Sequence, residues 1–154
     1  SIVTPEVLGS IEFGCAAAGA KLIVVVGHNR CAAVQSAIDS AHGKQHPYIR
    51  ECEYLKPIVQ SIESVVRESD SQNRHALDGK ETKDRSDTDN IVRLNIQRSV
   101  REILQKSTAI SALVESGQIG IVGMVYDVTT GICHVMNETS HGIATIEPET
   151  SHER

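Results

Sequence analysis

Apolar residues along the chain fall either into short continuous runs or into helical spacing. The clearest run is Leu22–Val26, an unbroken set of aliphatic residues that ends at Gly27. A short β-branched run of this kind is typical of a strand buried on both faces of a parallel sheet. A second run at 119–126 predicts another buried strand, and the turn-forming residues at 127–131 lead to a last, antiparallel strand at 132–136.

Other stretches carry apolar residues three or four positions apart, which predicts helices. They are Pro5–Ala18, Cys31–Ala41, Tyr48–Glu68 and Ile91–Val114. Thr4 can cap the first of them, and the proline that follows is tolerated in a first helical turn. Pro57 would kink or interrupt the third helix. A break is expected near Ser107 in the fourth, which ends before Gly117.

This order of elements predicts an α/β fold. We expect a mostly parallel sheet flanked by helices, with the C-terminal hairpin adding an antiparallel strand. At 154 residues the chain has the length of one domain, which we place at 1–136. Within it the polar and charged stretch at 69–90 predicts a loop, and the weak pattern at 137–154 predicts a loose C-terminal tail.

The composition narrows the function classes. Twenty acidic and fifteen basic residues give a net charge of −5, so the positive footprint of a nucleic-acid-binding protein is missing and we expect no nucleic-acid partner. No apolar run approaches the roughly 18 residues that a membrane-spanning helix needs. Aromatic residues make up only 3% of the chain, which predicts an aliphatic core.

The cysteines indicate a reducing compartment. Cys15, Cys31, Cys52 and Cys133 are irregularly spaced in a chain that is large enough to fold without disulfides. We therefore expect free thiols and a cytoplasmic location, with Cys15, Cys52 and Cys133 in simple core positions. The chain begins at Ser1 in mid-pattern, and we expect it to be incomplete at its N-terminus.

The segment with the most chemistry is Gly27-His28-Asn29-Arg30-Cys31, at the carboxyl end of the first predicted strand. Ligands of open parallel sheets collect at such strand ends. An imidazole and a thiol at the start of a helix can both bind zinc, and the helix N-terminus favours the thiolate. His28 and Cys31 are therefore candidate metal ligands. Two ligands do not make a site, and a hydrogen-bonded histidine beside a structural cysteine is the plainer alternative.

The wider sequence around this segment resembles the β-class carbonic anhydrases. Gly9–Phe13, Gly19–His28 and Cys31–Val34 are similar to the family's central helix, its strand with Gly-His-x-x-Cys, and the helix that follows. Asn95–Leu104, Gly117–Gly123 and Tyr126–Gly131 resemble the last long helix and the closing hairpin. The insertion and the hairpin also look like versions fused to sulfate-permease-type transporters, which implies a covalent link to a membrane transporter upstream.

The resemblance implies a zinc lyase that interconverts carbon dioxide and bicarbonate. In the family, two cysteines and one histidine hold the zinc ion, and His28 and Cys31 match two of these ligands. The residues that would line the pocket are Gly27, Asn29, Arg30 and Ala32. The family's sheet has two further strands before the central one, without which Leu22–Val26 would be an exposed apolar edge. The resemblance therefore also implies a homodimer.

Two departures from the family pattern leave an alternative open. The family motif Cys-x-Asp-x-Arg does not occur in the chain, so the third zinc ligand and the Asp/Arg pair are unaccounted for and no catalytic residue is assigned. Ala32 stands where the family usually has glycine, and its methyl group would crowd the pocket. The alternative is a non-catalytic regulatory or assembly module of an anion transporter, with activity absent from this chain by itself.

Overall fold

The computed structural model describes residues 1–44, 51–76 and 88–143. Its helices are α1 (Pro5–Glu12), continued by a π-helical turn (Phe13–Ala17), α2 (Ala32–Ala41), a 3-10 turn (Glu53–Leu55), α3 (Lys56–Ala76), α4 (Thr88–Lys106) and α5 (Thr108–Glu115). The strands are β1 (Leu22–His28), β2 (Gly120–Tyr126) and β3 (Cys133–His141). No helix among these residues is apolar over a length that would cross a bilayer.

The sheet has the predicted parallel pair and antiparallel hairpin. In the order β1-β2-β3, β1 runs parallel to β2, and their carboxyl ends meet where His28 pairs with Tyr126. β3 returns antiparallel, and Tyr126 pairs with Cys133 across the hairpin. The α/β fold expected from the sequence is confirmed, and the two strand ends bring the residues after His28 next to those after Tyr126.

The core is aliphatic and lies between the helices and one face of the sheet. α4 runs across β1 and β2, and Gly27 and Gly123 leave room for Ile96, which is fully buried. The largest fully buried side chains elsewhere in this core are Ile91, Ile110, Ile121, Met136 and Val66. Because α4 covers the sheet up to Gly27, the turn that follows β1 starts from a rigid strand end.

The prediction that β1 is buried on both faces is wrong. Ile23 and Val25 are buried against the helices, but Leu22, Val24 and Val26 keep 47%, 39% and 47% of their surface exposed. Within the described residues β1 is an edge strand with β2 as its only neighbour. An unbroken apolar run cannot tell which of its faces is covered.

Several boundaries also differ from the predictions. The loop expected from residue 69 is helical up to Ala76, and the rest of that stretch up to 87 lies outside the described residues. The helix predicted at 48–68 is interrupted as expected, because α3 begins only at Lys56 after the 3-10 turn, and Pro57 lies in its first turn. The part of that prediction at 48–50 lies outside the described residues. β3 continues to His141, so 137–141 is strand rather than tail, and 144–154 lies outside the described residues.

The cysteines are free, as expected, but only one of the three assigned to the core is buried there. Cys15 packs in the hydrophobic core, and burial raises the pKa of its thiol although the charge of Lys21 lowers it. Cys52 and Cys133 are exposed. Cys133 begins β3 next to the hairpin turn, and a local apolar pattern does not reveal that this position is exposed.

Candidate functional site

The candidate site is the turn that joins β1 to α2. His28 is the last residue of β1, and Cys31 is the N-cap of α2, with an extended backbone. Between them Arg30 takes a left-handed backbone, with φ of 54°. Such a conformation costs a residue with a side chain about 1–2 kcal/mol, so other contacts have to hold this turn.

A hydrogen bond determines which ring nitrogen of His28 is free to bind a ligand. Nδ1 lies 2.9 Å from the backbone carbonyl oxygen of Asn29. Because a carbonyl only accepts, Nδ1 carries the proton and donates, and in the neutral ring Nε2 keeps its lone pair. Histidines that bind metals commonly hold their other nitrogen in this way. The His28 side chain is exposed, so Nε2 is open to a ligand.

Cys31 lies at the positive end of α2. Its carbonyl accepts a hydrogen bond from the Gln35 backbone nitrogen at 3.0 Å, while its thiol makes no capping hydrogen bond. The thiol is half-buried beside the first turn of α2. A nitrogen donor and a sulfur donor, both suited to zinc, thus stand three residues apart on one turn.

A second turn is tied to the first by side-chain hydrogen bonds. Asn29 Nδ2 donates to Asp127 Oδ1 at 3.0 Å, and Asn29 Oδ1 accepts from the backbone nitrogen of Val128 at 3.0 Å. Asp127 Oδ1 also accepts from the Thr129 backbone nitrogen at 2.8 Å. The hydrogen bonds from Thr129 and then Asn29 lower the pKa of Asp127 to about 2. We call this set of contacts the Asn29–Asp127 clasp.

Sequence reasoning identified one half of this arrangement. It selected Asn29, which is half-buried, but it missed Asp127, which follows the neighbouring strand. The available signal was the turn chemistry after β2, because carboxyl ends of adjacent parallel strands lie side by side.

The other predicted pocket residues fall in different surroundings. Gly27 packs its backbone against Val92 and Ile96 of α4, on the core side of β1. Arg30 and Ala32 are exposed, the first in the turn and the second in the first helical residue of α2. Their role as pocket walls remains a prediction.

The side chains of His28 and Cys31 are of the types that bind zinc, but two protein ligands are fewer than a zinc site needs. Imidazole and thiolate are ordinary zinc ligands, and a catalytic zinc site uses three protein donors and one exchangeable position. Over residues 1–44, 51–76 and 88–143, no group of three His, Cys, Asp or Glu side chains stands close enough together to hold a metal ion. His28 and Cys31 therefore supply two of the donors that such a site needs.

Comparison with protein families gives one match over most of the chain. The family model described as "Carbonic anhydrase" matches residues 1–133. A curated relative, carbonic anhydrase 2 of Mycobacterium tuberculosis, is 28% identical over 132 residues. That alignment covers 84% of this chain and 56% of the relative, so the chain spans little more than half the relative's length.

Solved structures show the same fold at lower identity. A tetrameric β-carbonic anhydrase from Sordaria macrospora superposes with a TM-score of 0.65 at 20% identity, covering 88% of this chain and 63% of its own. The β-carbonic anhydrase CafA of Aspergillus fumigatus gives a TM-score of 0.61 at 23% identity, covering 96% and 62% of the two chains. A Coccomyxa β-carbonic anhydrase, solved with acetazolamide, gives 0.60 at 21% identity over 84% and 53%.

Proposed function

Because the chain belongs to the β-carbonic anhydrase family, we propose that it contributes to the zinc-dependent, reversible hydration of carbon dioxide to bicarbonate. The observation that carries the proposal is the hydrogen bond from His28 Nδ1 to the Asn29 carbonyl oxygen, which leaves Nε2 available three residues before the Cys31 thiol. This is the tautomer in which a histidine presents Nε2 to a metal ion.

His28 and Cys31 would hold the zinc ion in this proposal. Zinc, when bound, supplies a Lewis acid that lowers the pKa of water towards about 7. Neighbouring residues of the chain orient these two metal ligands. The Asn29 carbonyl orients the imidazole, and the N-cap position of α2 holds Cys31 three residues away. Arg30 adds a positive charge at the turn, which favours an anionic product such as bicarbonate.

We propose that the remaining protein donor is not supplied by this stretch of chain alone. The 154 residues contain no Cys-x-Asp-x-Arg, the family motif that carries the second cysteine and the Asp/Arg pair. We therefore expect little carbon dioxide hydration from the isolated chain. The longest form of the protein in which this chain occurs should show more.

Zinc binding and carbon dioxide hydration test this proposal together. Bound zinc is measured after dialysis, and hydration is measured by stopped-flow, on the isolated chain and on the longest form of the protein. His28→Ala and Cys31→Ser should lower bound zinc about 10-fold or more. The matched controls His134→Ala and Cys133→Ser, both at exposed positions of β3, should leave it unchanged. Absence of zinc and of hydration in both forms would remove the enzymatic proposal.

A second candidate function is a non-catalytic regulatory or assembly module of an anion transporter. Ala32 favours it, because this exposed residue follows Cys31 directly and carries a methyl group where the family usually has glycine. Ala32→Gly separates the two candidates. If Ala32 only crowds a working pocket, the variant of the longest form gains hydration activity, whereas a module that has lost the reaction gains none.

The exposed face of β1 supports a homodimer. Leu22, Val24 and Val26 expose a continuous apolar surface on an edge strand, and such a strand is commonly covered in the assembled protein. We propose a second copy of the chain as the cover. Light scattering at micromolar concentration should give twice the monomer mass, and Val24→Lys should lower it while Val128→Lys, at the exposed hairpin turn, should not.

A cytoplasmic location is part of the proposal. Cys31 has to stay reduced to bind zinc, and the four cysteines of the chain are free. Reducing compartments keep thiols in this state. Fractionation of cells that express the tagged protein would test the location, and recovery from an oxidising compartment would contradict it.

A further inference from the structure

We propose that Asn29 and Asp127 are positioning residues whose hydrogen bonds hold the turn that carries His28 and Cys31 in the conformation needed to bring the two donors together. The inference rests on the proposed function in so far as the two donors are metal ligands. It adds two residues with no donor role of their own, one of them in the hairpin turn after β2 and 98 positions away along the chain.

The clasp acts on the residue between the two donors. Asn29 is bonded to both His28 and Arg30, the residue with the left-handed backbone. A fixed Asn29 therefore restrains the direction of the His28 imidazole and the backbone conformation of Arg30. Its own backbone nitrogen donates to the Tyr126 carbonyl at 3.2 Å, which extends the pairing of β1 and β2 by one residue. Its side chain then makes two further hydrogen bonds to the hairpin turn.

These hydrogen bonds stabilise a backbone conformation that the turn would not keep by itself. Arg30 has a side chain in a backbone region that glycine adopts most easily, so an unsupported turn would relax towards other conformations. The hairpin side of the clasp is firm because Asp127 Oδ1 also accepts from Thr129, and the Gly131 backbone nitrogen donates to the Asp127 carbonyl at 2.8 Å. A fixed turn on β2 thus holds a strained turn on β1.

Selective variants separate the hydrogen bonds of the clasp from the charge of Asp127. Asp127→Ala removes the bonds that the side chain accepts from Asn29 and Thr129, whereas Asp127→Asn keeps an Oδ1 atom that can accept them. Asn29→Ala removes the other side of the clasp. Glu138→Ala and Glu138→Gln are the matched controls, because Glu138 is an exposed carboxylate on β3 that contacts Arg93 and not the turn.

The first measurement needs no metal. In a Cys52→Ser, Cys133→Ser background, Cys31 is the accessible thiol because Cys15 is buried. The rate of iodoacetamide labelling of this half-buried thiol then reports how well the turn shields it. Asp127→Ala and Asn29→Ala should raise it about 3- to 10-fold, the effect of losing one or two hydrogen bonds, and Asp127→Asn should stay within about 2-fold of the parent.

The second measurement is cobalt(II) binding, followed by the thiolate-to-metal charge-transfer absorption that only a Cys-ligated ion gives. Asp127→Ala and Asn29→Ala should weaken binding about 10-fold, and Asp127→Asn should restore it. The double variant should lose less than the product of the two single losses, because both residues belong to one unit. A general loss of stability would not produce this pattern of rescue.

Each outcome decides the inference. Faster labelling and weaker cobalt binding in both alanine variants, with rescue by Asp127→Asn, supports the clasp. If Asp127→Ala behaves like Glu138→Ala, or Asp127→Asn is as impaired as Asp127→Ala, the clasp does not position the donors. If the parent binds no cobalt even in the longest form of the protein, the zinc proposal fails, while the labelling rates still decide whether the clasp holds the turn.

Discussion

Gly27 of β1 lies directly against Ile96 of α4. A Cβ atom built on Gly27 would stand 2.8 Å from Ile96 Cδ1 and 2.8 Å from Val92 Cγ1, closer than carbon atoms approach in folded proteins. The contact places α4 against the strand immediately before His28. The close approach of strand and helix therefore requires a residue with no side chain at this position.

Replacing Gly27 tests this packing. Gly27→Ala should lower the free energy of unfolding by about 1–3 kcal/mol, because a methyl group would be forced into a filled space between β1 and α4. The measurement is urea unfolding followed by circular dichroism. Gly9→Ala is the control, because no atom lies within 4 Å of a Cβ at Gly9 and alanine favours the helix. A Gly27→Ala protein as stable as the parent would contradict the packing argument.

Thr139 supports the irregular part of the β2–β3 pairing. Its buried hydroxyl accepts from the Gly123 backbone nitrogen at 2.7 Å and donates to the Met136 carbonyl at 2.6 Å, beside the register shift between Ile121 and Gly123. Thr139→Val keeps the shape but leaves these groups unpaired, and should cost about 1–3 kcal/mol.

The matched variant for this position is Thr139→Ser, which keeps the hydroxyl and loses only a methyl group. It should cost less than Thr139→Val in the same urea titration. The reverse order would mean that the methyl group, and not the pair of hydrogen bonds, holds β3 on β2.

The sequence predicts the strands well because their chemistry is local. Leu22–Val26 is apolar and β-branched from Ile23 onwards, and both the strand and its parallel pairing with β2 are confirmed. The exposure of Val24 is not local, since it depends on which elements cover each face. Ser69–Ala76 is polar in composition, yet it continues a helix whose earlier turns are buried at Ile62 and Val66. Tertiary packing there overrides the local pattern.

The candidate site also contains residues that local sequence predicts and one that depends on tertiary structure. His28 and Cys31 can be selected from a single strand end and the helix that follows. Asp127 cannot, because its contact with Asn29 depends on the register that pairs His28 with Tyr126. A sequence shows which residues end a strand, whereas the residue beside them on the neighbouring strand follows only from the pairing.

Ser107 joins two helices and the N-terminal segment. Its hydroxyl is buried, accepts from the Ile110 backbone nitrogen at 3.1 Å as the cap of α5, and donates to Glu12 Oε1 at 2.5 Å. Ser107→Ala removes the cap and the partner of Glu12, and should lower the free energy of unfolding by about 1–2 kcal/mol. Ser111→Ala, which removes an exposed hydroxyl from the same helix, should change it by about 0.5 kcal/mol or less.

Asp127 should make the stability of the protein depend on acidity in a defined range. Its pKa is lowered from 3.8 to about 2 by the hydrogen bonds from Thr129 and Asn29, so the folded state favours the carboxylate. The stabilisation is therefore fully present above pH 3.8 and is lost as the pH falls towards 2. Asp127→Asn cannot titrate, so the difference in urea midpoint between parent and variant should shrink over this range. A difference that stays constant from pH 5 to pH 2 would mean that the carboxylate does not hold the hairpin turn through its charge.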